Sequence, residues 1–257
     1  MKELPPVTKE RDLAQMEDAF TEPAVPARLR QLAPTSFAAA SRYWQAIFSG
    51  EHLSPRLKEL ILVALHASVT SINVEGIRRH IERALTAGAS SEEVVDVLVS
   101  IIGVSNHALY SAVPILMEEL KAAGHESAAL PEATPEYEAI KNEFVKTRGY
   151  WNEQRDMIAR LMPTYCEVLS ELSMDPWKHG LLSAKERELI YIAIDCSVTH
   201  MYEPGLAMHI RHALQHGATR DEILEVFQLA ALMGLEGYIL GTEALFRALP
   251  PPSNSPS

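Results

Sequence analysis

The chain is short of cysteine, of positive charge and of long uncharged apolar runs, and each shortage removes a class of function. Its two cysteines, Cys166 and Cys196, stand thirty residues apart. That is neither a disulfide framework nor the paired knuckle of a structural zinc site, so both read as small buried hydrophobes. Lysine and arginine number 23 against 34 aspartate and glutamate, a net charge of −11. No basic stripe is left to neutralise phosphates, and a nucleic-acid partner is not expected. No stretch reaches the roughly eighteen uncharged apolar residues of a membrane span. The opening segment MKELPPVTKERDLAQMEDAF lacks the apolar centre of a signal peptide. The expectation is a cytoplasmic protein without membrane contact. Alternating Val, Ile and Thr runs bounded by hairpin turns are missing too, which points away from β-structure.

What the chain does have is enough apolar sequence for a sizeable core, 47% against 22% charged, and an internal repeat. LSPRLKELILVALHASVTSINVEGIRRHIERALTAGAS at 53–90 returns as LSAKERELIYIAIDCSVTHMYEPGLAMHIRHALQHGAT at 182–219, shifted by 129 residues without a gap. Carried outward, the same shift aligns 34–120 with 163–249, and about a quarter of those 87 positions are identical. The expected organisation is an N-terminal arm (1–33), a first repeat (34–120), a connecting segment (121–162), a second repeat (163–249) and a disordered tail (250–257).

Helix ends can be placed from their punctuation. In the first repeat the pattern predicts helices over 35–48, 54–69 with Ser54 as N-cap, 74–87 stopped by Gly88, 90–102 opened by a Ser90/Glu93 capping box, and 105–122. The second repeat has matching boxes at Ser183/Glu186 and Thr219/Glu222, and a matching stop at Gly217. Short helices are also expected near 12–20 in the arm and 137–147 in the connector. The predicted fold is all-α, two tandem helical repeats packed as a pseudo-dimer.

Positions identical in both copies are mostly apolar at helical spacing, which is core, or are caps. Four recurring polar positions are not explained that way: Glu59/Glu188, Ser68/Ser197, Thr70/Thr199 and His80/His209. Seven and eleven residues after each Glu the same helix side carries His66 and Thr70, or Asp195 and Thr199. Such a stripe is commonly a solvent face, but Val63 and Ile192 lie within it and favour a pocket-lining face. A lone His on an apolar helix is commonly a core residue; the recurrence of both partners favours a Glu–His pair. That pair is either architectural or a proton-transfer unit in which the carboxylate orients the imidazole. His209, His212 and His216 share one helix side, yet the first copy has Arg83 and Ala87 at the last two positions and no HExxH accompanies them, so no metal is expected.

The pattern L-x-x-[KR]-x-[KR]-E-L-I, a polar break, then H-I-x-x-A-L-x-x-G-A-[ST]-x-[ED]-E-[IV] occurs twice. It resembles the carboxymuconolactone decarboxylase family, which includes the AhpD-like alkylhydroperoxidases. The resemblance implies an all-α fold and a homo-oligomer, either three tandem chains imitating a hexamer or a dimer. The alkylhydroperoxidase branch uses a Cys-x-x-Cys pair between Glu and His, whereas the breaks here read SVTSINVE and SVTHMYEP. Without a resolving thiol a dithiol peroxide cycle is not expected. The Glu-to-His interval is also two residues longer than in the family pattern, which implies a reshaped pocket mouth.

The leading expectation is a cofactor-free lyase acting on a small carboxylated molecule, with Glu188, His209, Glu59 and His80 as the proton-transfer pairs. Thr199, His200, Tyr202, Glu203, Arg187 and Asp195 are the candidate substrate-binding residues. Arg187, like Lys58 before the other Glu, either binds a carboxylate or forms an ion pair. The second copy is the richer of the two, because Tyr202 and Glu203 face Asn73 and Val74 in the alignment. The competing expectation is a non-catalytic scaffold or ligand-binding subunit whose Glu–His pairs staple helices together.

Overall fold

The computed structural model describes residues 15–249. Among them are thirteen α-helices, short 3-10 turns and no strand. The helices are α1 (Val25–Leu32), α2 (Pro34–Phe48), α3 (Pro55–Ala67), α4 (Val74–Thr86), α5 (Ser91–Ser100), α6 (His107–Ala122), α7 (Pro135–Arg148), α8 (Glu153–Leu161), α9 (Pro163–His179), α10 (Ala184–Asp195), α11 (Glu203–Gln215), α12 (Arg220–Leu232) and α13 (Glu236–Ala248). The starts of α2 to α6 and of α9 to α13 are all offset by 129 residues, the shift read from the sequence. Local chemistry fixes them. Ser54 and Ser183 accept from the third residue of α3 and α10, the boxes at Ser90, Ser183 and Thr219 close in both directions, and Gly88 and Gly217 stop α4 and α11 at φ 93° and 83°.

The repeat is one helix longer than its sequence signal. Helix α1 ends at Ala33 (φ −143°, ψ 64°) and α8 at Met162 (φ −136°, ψ 63°), again 129 apart. Pro26 sits in the first turn of α1, where its missing N–H costs nothing. Residues 15–33 are therefore no loose arm: Met16, Ala19, Val25 and Leu29 are buried in the main core. The connector likewise holds two helices, α7 and α8, instead of one. Residues 12–14 of the expected arm helix and the whole expected tail lie outside the described residues.

One main core draws on both repeats. Helices α3 and α10 lie at its centre, with Leu60, Ile61, Val63 and Ala64 from one and Leu189, Ile190, Ile192 and Ala193 from the other. A smaller core under α6 to α9 holds Val113, Tyr137, Ile158 and Cys166. A matched pair of buried ion pairs locks the halves together. Lys58 on α3 lies 3.5 Å from Glu225 on α12, and Arg187 on α10 grips Asp96 on α5, with its second guanidinium contact at 3.0 Å. Each acid also caps the loop before the opposite helix: Glu225 accepts from the amides of His52 and Leu53, Asp96 from those of Leu181 and Leu182. Arg187 is thus wholly committed between the repeats. It is not a substrate ligand, because its carboxylate partner is already in place.

Two continuous helical stretches, Ser91–Ala122 and Arg220–Ala248, contain apolar windows of mean hydropathy 1.4 and 1.5 and are long and apolar enough to cross a membrane by length and composition. No such stretch was apparent from the sequence. Inward-facing Val94, Val97, Ile101, Val226 and Leu229 account for part of that apolarity.

Candidate functional site

Each site is a helical hairpin closed by a strained turn. Between α3 and α4, and again between α10 and α11, the break contains a bulky residue in left-handed backbone, Ile72 at φ 45° and Met201 at φ 46°. Non-glycine residues seldom hold this conformation, and its repetition shows that both copies need the same tight return. The turns are tied by the Asn73 amide to the His66 carbonyl and the Tyr202 amide to the Asp195 carbonyl, each at 2.9 Å. Glycine lets the two helices close up. A Cβ on Gly76 would overlap the His66 ring, and one on Gly205 would overlap the Asp195 carboxyl and Tyr202. Both glycines recur in the sequence, but their role is visible only here.

In the second repeat His209 Nδ1 lies 2.5 Å from Glu188 Oε2, leaving Nε2 as the ring nitrogen available to a ligand. His212 Nδ1 is 3.6 Å from the other Glu188 oxygen. His209 forms part of the wall of a cavity of about 370 Å³, with Asp195, Tyr191 and Tyr202 beside it, a size suited to a small organic molecule. Glu188 does not touch the cavity; it stands behind His209 and orients it. Burial, with the nearby Glu188 charge adding to it, pushes the Asp195 carboxyl up to about 8, so it holds a proton at neutral pH. Its Oδ2 is buried without a hydrogen-bond partner.

The remaining wall comes from elements outside this hairpin. His107, at the start of α6 in the first repeat, stacks on Tyr202 at 3.8 Å between ring centroids, and its Nδ1 lies 2.6 Å from His200 Nε2. Burial, then the neighbouring His200 and His209, holds His107 down to about 3. Arg148 and Arg155, at the end of α7 and in α8, supply two guanidinium groups. Arg148 lies over the Trp177 ring at 4.3 Å and Arg155 over Phe144 at 3.8 Å. Among the described residues neither makes an ion pair, and the Nε of each is buried without a partner.

The first repeat assembles the same pair and then seals it. His80 Nδ1 lies 2.7 Å from Glu59 Oε2, and Arg83 Nε donates to the other oxygen at 2.8 Å under the rings of Trp44 and Phe48. Arg79 reaches the carbonyl of Ala19 at 2.8 Å and pairs with Glu236. Glu59 and His80 are both 0% exposed, and the cavity does not extend to them. Burial raises Glu59 to about 7 against the pull of Arg83, and it holds His80 well below its ordinary value. The pair is therefore a neutral ring beside an acid that gives up its proton only near neutral pH.

Of the expected residues, the structure brings His209, Asp195 and Tyr202 to the cavity, with His200 touching His107 and Glu188 behind His209. Arg187 is consumed by Asp96. Thr199 is exposed and donates to Thr70 at 3.1 Å, joining the two breaks to each other. Glu203 is exposed in the first turn of α11 and does not reach the cavity. His216, the third of the histidines on one helix side, is exposed and does not line the cavity. His107, Arg148 and Arg155 were missed because they have no like residue in the other copy: 129 positions away stand Glu236, Ala19 and Pro26. Both cysteines are free thiols, and burial pushes Cys196 up to about 11, far from a reactive thiolate.

An all-α tandem repeat with a Glu–His hairpin in each half defines a class, and comparison with known proteins places it. The carboxymuconolactone decarboxylase family model matches residues 34–115 and 163–249, and the chain belongs to that family. It is also similar, at 34% identity and a TM-score of 0.81 over 87% of this chain and 90% of the other, to the crystal structure of a protein from Burkholderia xenovorans LB400 provisionally named a gamma-carboxymuconolactone decarboxylase subunit. Among curated proteins none matches.

Proposed function

We propose that the second repeat is a lyase site for a small molecule carrying more than one carboxylate, and that His209 is its proton-transfer residue. The observation that carries this reading is the cavity itself. It places an imidazole oriented by a buried carboxylate in one wall with two guanidinium groups that have no acid partner of their own. A buried cation without a counter-ion is a standing invitation to an anionic ligand, and guanidinium fits a carboxylate bidentately. A carboxylate held in that way is stabilised as an anion and does not leave readily. The departing carboxylate is then a second one, beside the aromatic wall of Tyr191 and Tyr202. Its C–C bond breaks, carbon dioxide leaves, and the electron pair passes into an adjacent carbonyl. His209 Nε2 then delivers a proton to the carbon, with Glu188 stabilising the imidazolium that precedes the transfer. Asp195 is the second proton-carrying group in reach.

The reading of Glu–His pairs as helix staples is favoured in the first repeat, where Glu59 and His80 are closed off from solvent. A screen of small di- and tricarboxylates, including lactones, tests the proposal. Turnover of at least one is expected in the wild type, lost in Glu188→Gln and with a raised KM in Arg148→Ala. Turnover unaffected by both substitutions would sink it.

A further inference from the structure

Beside the cavity lies a set of three groups of which the proton-transfer reading uses only Asp195; His107 and Asp195 line the cavity, and His200 touches His107. His107 Nδ1 and His200 Nε2 lie 3.8 and 3.7 Å from the same oxygen of Asp195, and 2.6 Å from each other. All three donor atoms lie within 4.8 Å of one another. Two imidazoles and one carboxylate gathered in this way are a donor set that suits divalent first-row transition metals. Donors about 2.1 Å from a tetrahedral ion stand roughly 3.4 Å apart. The two contacts to Asp195 are already near that spacing. The imidazole pair needs to open by less than an ångström, and His200 sits in the turn before α11.

The other repeat shows what this place requires. The residues at 66 and 195 are His and Asp; those at 107 and 236 are His and Glu, so each half has one acid and one imidazole here, with the positions exchanged. In the first repeat the guanidinium of Arg79 joins them and pairs with Glu236. The equivalent of Arg79 in the second repeat is Met208, which carries no charge, while a third donor, His200, replaces Ser71. Among the described residues Asp195 has no lysine or arginine partner, and its Oδ2 is buried and unpaired. One copy carries its cation covalently; the other has the ligands for a free one.

We propose that His107, Asp195 and His200 bind one divalent transition-metal ion, with His209 Nε2, 3.9 Å from Asp195, left uncoordinated beside it. The site is composite, because His107 comes from the first repeat and the other two ligands from the second. An ion there has its open positions towards the cavity, where it acts as a Lewis acid on a bound oxygen. This inference goes beyond the lyase reading and does not depend on it, since metal binding is read without substrate.

The test uses full-length protein stripped with a chelator and titrated with Co2+, followed by visible absorption and by equilibrium dialysis. One ion per chain is expected, with a ligand-field spectrum of mixed nitrogen and oxygen coordination. His200→Ala and Asp195→Asn should weaken binding by more than the roughly 10–100-fold that loss of a mere supporting partner costs. Met208→Arg, which copies Arg79, should abolish it while leaving the helical circular dichroism unchanged. His179→Ala, at an exposed His–Asp pair, should leave it unaltered. If Asp195→Asn does not fold, His200→Ala and Met208→Arg decide. No saturable binding in the wild type, or one-per-chain binding that survives both of those substitutions, would overturn the proposal. So would loss confined to His212→Ala, which would place the ion on Glu188 and His212 instead.

Discussion

The two repeats share a backbone, a Glu–His pair, a strained return and a crowding glycine, yet one hairpin is a packed joint and the other borders a cavity. The difference lies in where the cations are. In the first repeat Arg79 and Arg83 reach in from α4 itself, fill the space and neutralise Glu236 and Glu59. In the second those positions are Met208 and His212, and the guanidinium groups come from α7 and α8 on the far wall. A buried carboxylate needs a partner. Cations on the same helix pair with the acids and close the site; cations on neighbouring elements, paired with no acid among the described residues, leave room between. One half packs its Glu–His pair as a joint; the other leaves its His209 beside a cavity.

The largest test of this contrast is removal of the inner cation. Arg83→Met leaves the Glu59 carboxylate without its charged partner, and thermal unfolding should show a loss of about 3 kcal/mol or more. His212→Leu, at the equivalent half-exposed position, should cost well under that. Next is the outer cation. On the proposed function, Arg148→Ala removes charge-assisted hydrogen bonds of about 1.5–3 kcal/mol to a substrate carboxylate, which in steady-state kinetics is a KM raised roughly 10- to 150-fold. The same change should scarcely move the first repeat. Gly76→Ala and Gly205→Ala force a Cβ onto His66 and Asp195, and overpacking of this kind costs about 1–3 kcal/mol in either copy. Only the Gly205 change should also alter ligand affinity.

The most gradual effect is on pH dependence, where it builds up over several pH units. His66 takes up a proton near 6.5 when unfolded, but burial, reinforced by His80 and Arg79, holds it down to about 2 in the folded chain. Between those values the unfolded state carries the extra proton. Stability therefore falls as pH falls through that window, by up to about 1.4 kcal/mol per unit. His66→Asn should flatten this slope in denaturant titrations run from pH 7 to pH 4. The Glu59–His80 and Asp195–His107 combinations add little from about 4.5 to 6.5, since in each a carboxyl that keeps its proton offsets an imidazole that refuses one.

Most of the fold could be read from the chain because its helix ends are written in local chemistry. Ser54, the three capping boxes and the glycines at 88 and 217 recur at one fixed shift, and every repeat helix starts where that shift puts it. Helices α1 and α8 escaped because they share position and geometry but almost no residues. At the site, recurrence picked out Glu188 and His209 and for the same reason passed over His107, Arg148 and Arg155, which make the second copy different from the first. Arg187 misled in the opposite way. It recurs as a basic residue beside each Glu, but its partner Asp96 is 91 positions away and only folding brings them together.

The most direct test of the central claim sets the two histidines against each other in one assay. His209→Ala and His80→Gln, each normalised to the folded fraction, are compared with wild type on a substrate found in the carboxylate screen. A positioned proton-transfer residue is worth roughly 10²–10⁴ in rate. The account predicts a loss of that size for His209→Ala, and for His80→Gln a lower melting temperature with turnover per folded molecule unchanged. Equal losses from both, or a loss from His80→Gln alone, would contradict it.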